Sequence, residues 1–364
     1  MPDISINNID FESNVWVVRP GIGYRYTYDF VSESFIAIGH LDDFNIDEAL
    51  FNEELTYENI DKVITDYNTI DSRNVRGQIE TFLIEMNIGD VVFTLDSKSV
   101  IPGVIKSKPF DSSDPISDEE AFRIRRTVEW GEPIPRFKIP ITIQRSFTAY
   151  QTVFSLNEHS EKIFHWLMSY FISGDEFFGS LRIEQTQALK HHTLKQLNEL
   201  IDRIQVYSLL IAEKFEEKEN QDSDTNSISI SFSDLQNAME AYSEEGLLTL
   251  TVQQLTMSPG DVWLQFRSKS KIAGAVFLYL IFTTTSPGKT LEFSDPAMRN
   301  ELSKVQNIVD QNKDIINKDL NFTQVRRQLI LRSAGQNTGF VESEPTLKSE
   351  DDFPKDGDPK NIGG

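Results

Sequence analysis

Val15–Gly39, VWVVRPGIGYRYTYDFVSESFIAIG, is the stretch on which the reading of the fold turns. Two short apolar runs, Val15–Val18 and Phe35–Ile38, flank an Arg-Pro-Gly turn and a cluster of rings. The runs predict two strands around a turn. If the intervening chain is extended, Tyr24, Tyr26 and Tyr28 share one side of it, because side chains alternate along a strand. Such a row of rings is either packed core or the wall of a pocket that stacks a flat ligand.

Working outward, residues 1–14 read as a loose arm. The acidic segment 40–75 predicts a helix capped by Asp47, and a second helix runs from about Asn74 to Met86, with Ile79, Phe82, Leu83 and Met86 on one stripe. Strands are expected over Val91–Leu95, Val100–Ile105, Phe122–Trp130 and Gln151–Leu156. Short strands with two helices inserted early suggest a small mixed barrel rather than a parallel sheet.

Past residue 157 the periodicity becomes helical. Ile163, Phe164, Leu167, Met168 and Phe171 predict a helix ending near Ser173-Gly174. Leu194, Leu197, Ile201, Ile204, Ser208, Ile211 and Phe215 recur at alternating intervals of three and four, a heptad seam. Met298, Leu302, Val305, Val309, Asn312 and Ile316 form a similar one. The seams can pair within one chain or between chains. The polar members, Ser208 and Asn312, are of the kind that sets register.

Between the seams, Ile228–Phe232, Leu247–Val252 and Val262–Arg267 read as strands, and Ser233–Tyr242 as a capped amphipathic helix. The uncharged run Ile272–Gly288 reads as a buried strand or core helix, with a membrane-active element as the alternative. Residues 341–364 are polar and acidic and are expected to be a disordered tail. The expected architecture is α+β, with an arm over 1–14, a mixed β-barrel domain over 15–157, a helix-rich α+β domain with coiled-coil-like helices over 158–340, and the tail.

Composition narrows the function. The 364 residues contain no cysteine, which excludes disulfides and thiolate metal sites. The five histidines show no metal-ligand spacing, and His191-His192, neighbours on a helix, point apart. No metal or cofactor is expected. The start, MPDISINNIDFESN, fits neither a signal nor a transit peptide, and a cytoplasmic protein is expected. A net charge of −22 opposes general polyanion binding. Contact with nucleic acid therefore needs a local basic patch. Arg123, Arg125, Arg126, Arg136, Lys138 and Arg145 supply one in a stretch whose only acids are Glu129 and Glu132, with Lys106 and Lys108 just upstream. A solvated, salt-bridged face is the other reading of these cations.

Four groups of residues, in order over 15–156, carry a family resemblance. They are Trp16-Val17-Val18-Arg19 with Gly21, Gly23, Arg25, Tyr26 and Ile36-Ala37-Ile38-Gly39; Gly77-Gln78, Phe82 and Ile88-Gly89-Asp90-Val91-Val92; Arg125–Trp130 with Ile134-Pro135-Arg136; and Ser146-Phe147 with Gln151–Phe154. This set resembles the EVE-like modules of the PUA superfamily found at the N-terminus of Mrr-type restriction enzymes and other antiphage proteins. The departure is Gly103–Ser107, where that family more often carries an acidic residue and a second glycine. The resemblance implies a module holding a flipped-out or modified base in an aromatic cage. A base taken out of a stack recovers roughly 1–3 kcal/mol on an aromatic platform. Trp16, Tyr24, Tyr26 and Trp130 are the ring candidates, and Arg19, Arg125 and Arg126 the phosphate candidates. Asp90 either accepts a base N–H or caps a turn.

No catalytic constellation accompanies them. Residues 160–340 show no Asp…Glu-x-Lys arrangement on adjacent apolar strands, the convergence of two acids and a lysine that a metal-dependent nuclease needs, and neither a GxSxG elbow nor a Walker A loop occurs. The expected function is a sensor of DNA or RNA in antiphage defence. It is expected to be homo-oligomeric through the seams, with a partner defence protein as a further candidate. A diverged nuclease, a protein-interaction scaffold and a membrane-active effector through 272–288 are the alternatives.

Overall fold

A computed structural model describes residues 4–9, 13–42, 55–60, 73–112, 114–116, 121–221, 228–254 and 260–335. The helix expected at Asp47 and the tail 341–364 lie outside them. The chain divides into two units, one of residues 11–162 and one of residues 1–10 with 163–337. The first strand, β1 (Ile4–Asn8), belongs to the second unit.

The 11–162 unit contains β2 (Val15–Val18), α1 (Thr27–Ser32), β3 (Phe35–Ala37), α2 (Arg73–Glu80), β4 (Val91–Leu95), β5 (Ser99–Ile105), β6 (Phe110–Asp111), β7 (Ile124–Trp130), β8 (Ile134–Pro135), α3 (Ile141–Gln144) and β9 (Val153–Ser155). Its strands form one mixed sheet in the order β3-β7-β5-β4-β2-β9, with β6 beside β7 and β8 beside β5. Only β2 and β4 are parallel. The sheet curls into half a barrel. Phe30, Ile36, Phe82, Ile101 and Ile124 fill it.

The row of tyrosines does not form. Tyr24 turns the chain with φ 64° and Thr27 starts a helix, so the three rings leave in different directions. The Thr27 hydroxyl lies 2.8 Å from the carbonyl oxygens of Tyr24 and Leu95, which pins the helix start to the end of β4. Gly21, at φ 79°, is required here. A Cβ on it would meet the Tyr26 ring at 2.7 Å. The stripe over 74–86 is helical as expected, passing from α2 into a π turn over Thr81–Glu85.

Helix α4 (Ser160–Leu167) carries the chain across the boundary at 162/163. The second unit continues with β10 (Tyr170–Ser173), β11 (Glu176–Ile183), α5 (His191–Asn220), α6 (Phe232–Glu244), β12 (Thr251–Gln254), β13 (Gly260–Arg267), α7 (Lys271–Thr285), β14 (Leu291–Phe293), α8 (Pro296–Gln311), α9 (Lys313–Leu320), α10 (Phe322–Leu329) and β15 (Leu331–Ser333). Its sheet runs β12-β13-β11-β10-β1-β14, with β15 also on β11.

Several expectations are corrected here. Residues 4–8 are not a loose arm. β1 lies parallel between β10 and β14, and Ile4 and Ile6 are buried. The helix expected to reach Ser173 stops at Leu167, and the apolar run Tyr170–Ile172 pairs in the sheet. Ile228–Ile230 is not a strand. It leads into α6, which opens with a capping box between Ser231 and Asp234.

The uncharged run becomes α7, buried on nearly every side. It packs on β11 and between α5 and α8. Gly274 allows this, because a Cβ there would overlap the Phe177 ring. Among the described residues no helix is long and apolar enough to cross a membrane.

The two heptad seams therefore do not face each other. Each packs against α7. Ile201, Ile204 and Ile211 on one, and Leu302 and Val305 on the other, are buried within the single chain. Asn312 also works inside it. Its amide donates to the carbonyls of Ile228 and Ile308 and accepts from the Ile230 N–H, all at 2.8 Å. Among the described residues, the apolar positions of both seams are therefore covered within the single chain.

Candidate nucleic-acid interface

Three of the four rings expected to form a cage, Trp16, Tyr26 and Trp130, are built into the core. Trp16 is 5% exposed, and its Nε1–H donates to Asp90 Oδ2 at 2.7 Å. The Asp90 carboxylate also accepts the N–H groups of Asn14 and Asn87, at 3.0 and 2.9 Å. It therefore caps the turn into β4 and anchors Trp16, with its oxygens occupied by these donors. Trp130 donates from Nε1 to the Phe30 carbonyl at 2.8 Å. Tyr26 lies against Phe122, ring centres 5.2 Å apart.

Arg125 and Arg126 are corrected as well. They are successive residues of β7, so they point to opposite faces of the sheet, and both faces are covered there. Arg126 donates to the carbonyls of Phe82, Leu83 and Ser107. Those of Phe82 and Leu83 are free because the π turn spoils the helical ladder locally. Burial pushes the Arg126 guanidinium down to about 10, against the opposing charge of Asp90, so it stays protonated at neutral pH. Arg125 stacks 4.2 Å over the Phe35 ring and donates to the carbonyls of Phe122 and Asp114. Neither guanidinium is presented to a phosphate. Gln78, from the second group of family-like residues, is structural too. Its Oε1 receives the N–H groups of Thr152 and Val153, holding β9 in place.

Two of the expected residues do meet at the surface. Arg19 donates to the Tyr24 hydroxyl at 3.3 Å and to the carbonyls of Phe147 and Ala149. Arg136 lies 4.8 Å over the Tyr24 ring and donates to the Asp96 carbonyl. Tyr24 is thus clamped between two cations. Burial alone would raise its phenol, but hydrogen bonds and charge from Arg136 and Arg19 outweigh that and hold it below the usual tyrosine value.

This clamp gathers three turns, and each carries an exposed apolar side chain. Ile22 precedes Tyr24 by two residues, Phe137 follows Arg136 and Tyr150 follows Ala149. Phe137 is 82% exposed, and Ile22 and Tyr150 more so. Beside them a cleft of about 600 Å³ is lined by Ser97, Lys98, Ser99, Pro135, Arg136 and Phe137. Lys98, Lys138 and Arg145 are exposed.

Lys98, Phe137 and Tyr150 were not singled out from the sequence. A signal for two of them existed. Residues 133–157 contain no Asp or Glu, in a chain with 57 acids, and this segment carries Phe137 and Tyr150 beside Arg136, Lys138 and Arg145. Among the described residues no three His, Asp or Glu side chains converge as a metal site would require. No family model, curated protein or solved structure matches the chain.

Proposed function

We propose that the 11–162 unit binds a nucleic-acid strand with an unstacked base on the face built around Arg19, Tyr24 and Arg136. The observation that carries this reading is an exposed aromatic and cationic surface on an acid-free segment, residues 133–157, of a chain of net charge −22. A strand approaching so acidic a protein is repelled elsewhere and accepted only where cations dominate locally. Phe137 and Tyr150 offer the flat faces that recover base stacking. Lys98, Lys138 and Arg145 stand where phosphates would be met. The cleft beside Phe137 would receive the base. The role of sensor in antiphage defence, and a preference for a modified or extruded base, rest on the resemblance over 15–156.

The test is binding of labelled single-stranded oligonucleotides to the full chain. Phe137→Ala or Tyr150→Ala should weaken binding roughly 5- to 100-fold, the equivalent of one lost stacking contact. Lys138→Glu with Arg145→Glu should weaken all sequences alike and flatten the salt dependence. These side chains are exposed, so the fold is retained. Unchanged affinity in all three variants would sink the proposal.

A further inference from the structure

The 163–337 unit carries a basic cavity of its own. At the end of α7, where α10 turns into β15, the chain encloses a space of about 600 Å³. Lys289, Arg326, Arg327 and Arg332 line it, with the hydroxyls of Thr323 and Ser333, and no Asp or Glu is among the lining residues. Arg332 is held by Glu184 at 2.8 Å. Lys289, Arg326 and Arg327 are exposed and, among the described residues, have no carboxylate within ion-pair distance. Four cations converge here in an acidic protein, three of them without a carboxylate partner among the described residues, and their mutual repulsion favours an anion between them.

The backbone holds this arrangement. Ile330 has φ 51°, a left-handed conformation that a β-branched residue adopts only when its surroundings impose it. That residue reverses the chain, so Arg326 and Arg327 on α10 and Arg332 on β15 line the same cavity. A second cavity of about 240 Å³ shares Thr323 and Arg326 with the first. Its remaining wall is mixed, the Tyr279 and Phe322 rings lining it together with Asp310, Lys313 and Asn317.

We infer that this cavity binds a small anion carrying two or more phosphate groups. Guanidinium groups pair with phosphate oxygens through two parallel hydrogen bonds, and among the described residues no carboxylate engages Arg326 or Arg327. The space exceeds what one phosphate would fill. The Tyr279 and Phe322 rings in the adjoining cavity would take a heterocycle attached to the phosphates.

Isothermal titration of the full chain with inorganic pyrophosphate, ATP and sulfate, at fixed ionic strength, tests the inference. Pyrophosphate or ATP should bind one per chain with a Kd at or below roughly 100 μM, and more tightly than sulfate. Arg326→Gln with Arg327→Gln should weaken that binding at least tenfold without moving the thermal melt, since both side chains are exposed. Lys289→Gln is the second variant should the double one fail to fold. ATP binding more tightly than pyrophosphate, with Phe322→Ala removing the difference, would identify a nucleotide. Equal binding would identify phosphate alone. No heat from either ligand at millimolar concentration, or unchanged binding in the variants, overturns the inference.

Discussion

Arg125-Arg126 and Arg326-Arg327 are the same dipeptide in two settings, and their fates are opposite. The first pair lies on β7, in the middle of a sheet covered on both faces, and both guanidinium groups are spent on backbone carbonyls. The second lies on α10, where neighbours are about 100° apart and both reach solvent beside a cavity. A cation is available to a ligand only if no nearby backbone claims it. The density of Arg and Lys along the chain says little about that. Position in the fold says nearly everything.

The comparison can be broken most directly by removing each pair. Arg126→Met should cost roughly 3 kcal/mol or more, because the variant leaves three carbonyls without their charged donor. Urea unfolding measures it. Arg326→Gln should change stability by less than about 0.5 kcal/mol, as an exposed side chain does. Equal costs would mean that the contrast between the two pairs is wrong.

The second unit has a buried basic group of its own, and it behaves differently again. His165 lies in the core, its ring 4.6 Å from and parallel to that of Trp263. Burial pushes it down to about 3. The unfolded chain binds a proton near its ordinary value of about 6.5 while the folded chain does not. His165 therefore stabilises the fold fully above about pH 6.5, and that contribution is lost as pH falls toward 3. The slope should be about 1.4 kcal/mol per pH unit in that window. Comparing urea midpoints of the protein and of His165→Gln between pH 4.5 and 6.5 isolates it. Parallel pH profiles would show that His165 is charged in the core, as Arg126 is.

A smaller effect is expected where the second unit is tightest. Gly274→Ala places a methyl on the Phe177 ring and should destabilise by about 1–3 kcal/mol through overpacking of α7 on β11. A neutral result in thermal melts would mean that the helix stands off the sheet. A further modest effect is expected of Trp16→Phe, which removes the donor to Asp90 and keeps an aromatic, though smaller, ring in place. It should cost about 1–2 kcal/mol and leave oligonucleotide binding unchanged. Lost binding with an intact fold would return Trp16 to the ligand face.

Much of this molecule could be read from its residues. The strands at Val15–Val18, Phe35–Ala37, Val91–Leu95 and Gly260–Arg267, and the helices over 191–220 and 296–311, follow from local periodicity and caps, which act over a few residues. Arg19 and Tyr24 entered as phosphate and ring candidates through the resemblance, and the fold brings the two side chains together.

What periodicity could not supply was the partner across each element. β1 is a strand only because β10 and β14, more than 160 residues away in sequence, leave a parallel slot for it. The heptad seams carry the pattern of a coiled coil, yet a third helix lies between them. The spacing of an apolar stripe states that something covers it, never what does. Trp16, Tyr26, Trp130, Arg125 and Arg126 have the residue types of a nucleotide site, and only the closure of the sheet over them decided that they are core. The sequence by itself determined the elements with strong local periodicity and the acid-free segment 133–157. The tertiary structure decided which rings and cations remain for a ligand, because burial depends on long-range packing and local sequence carries no record of it.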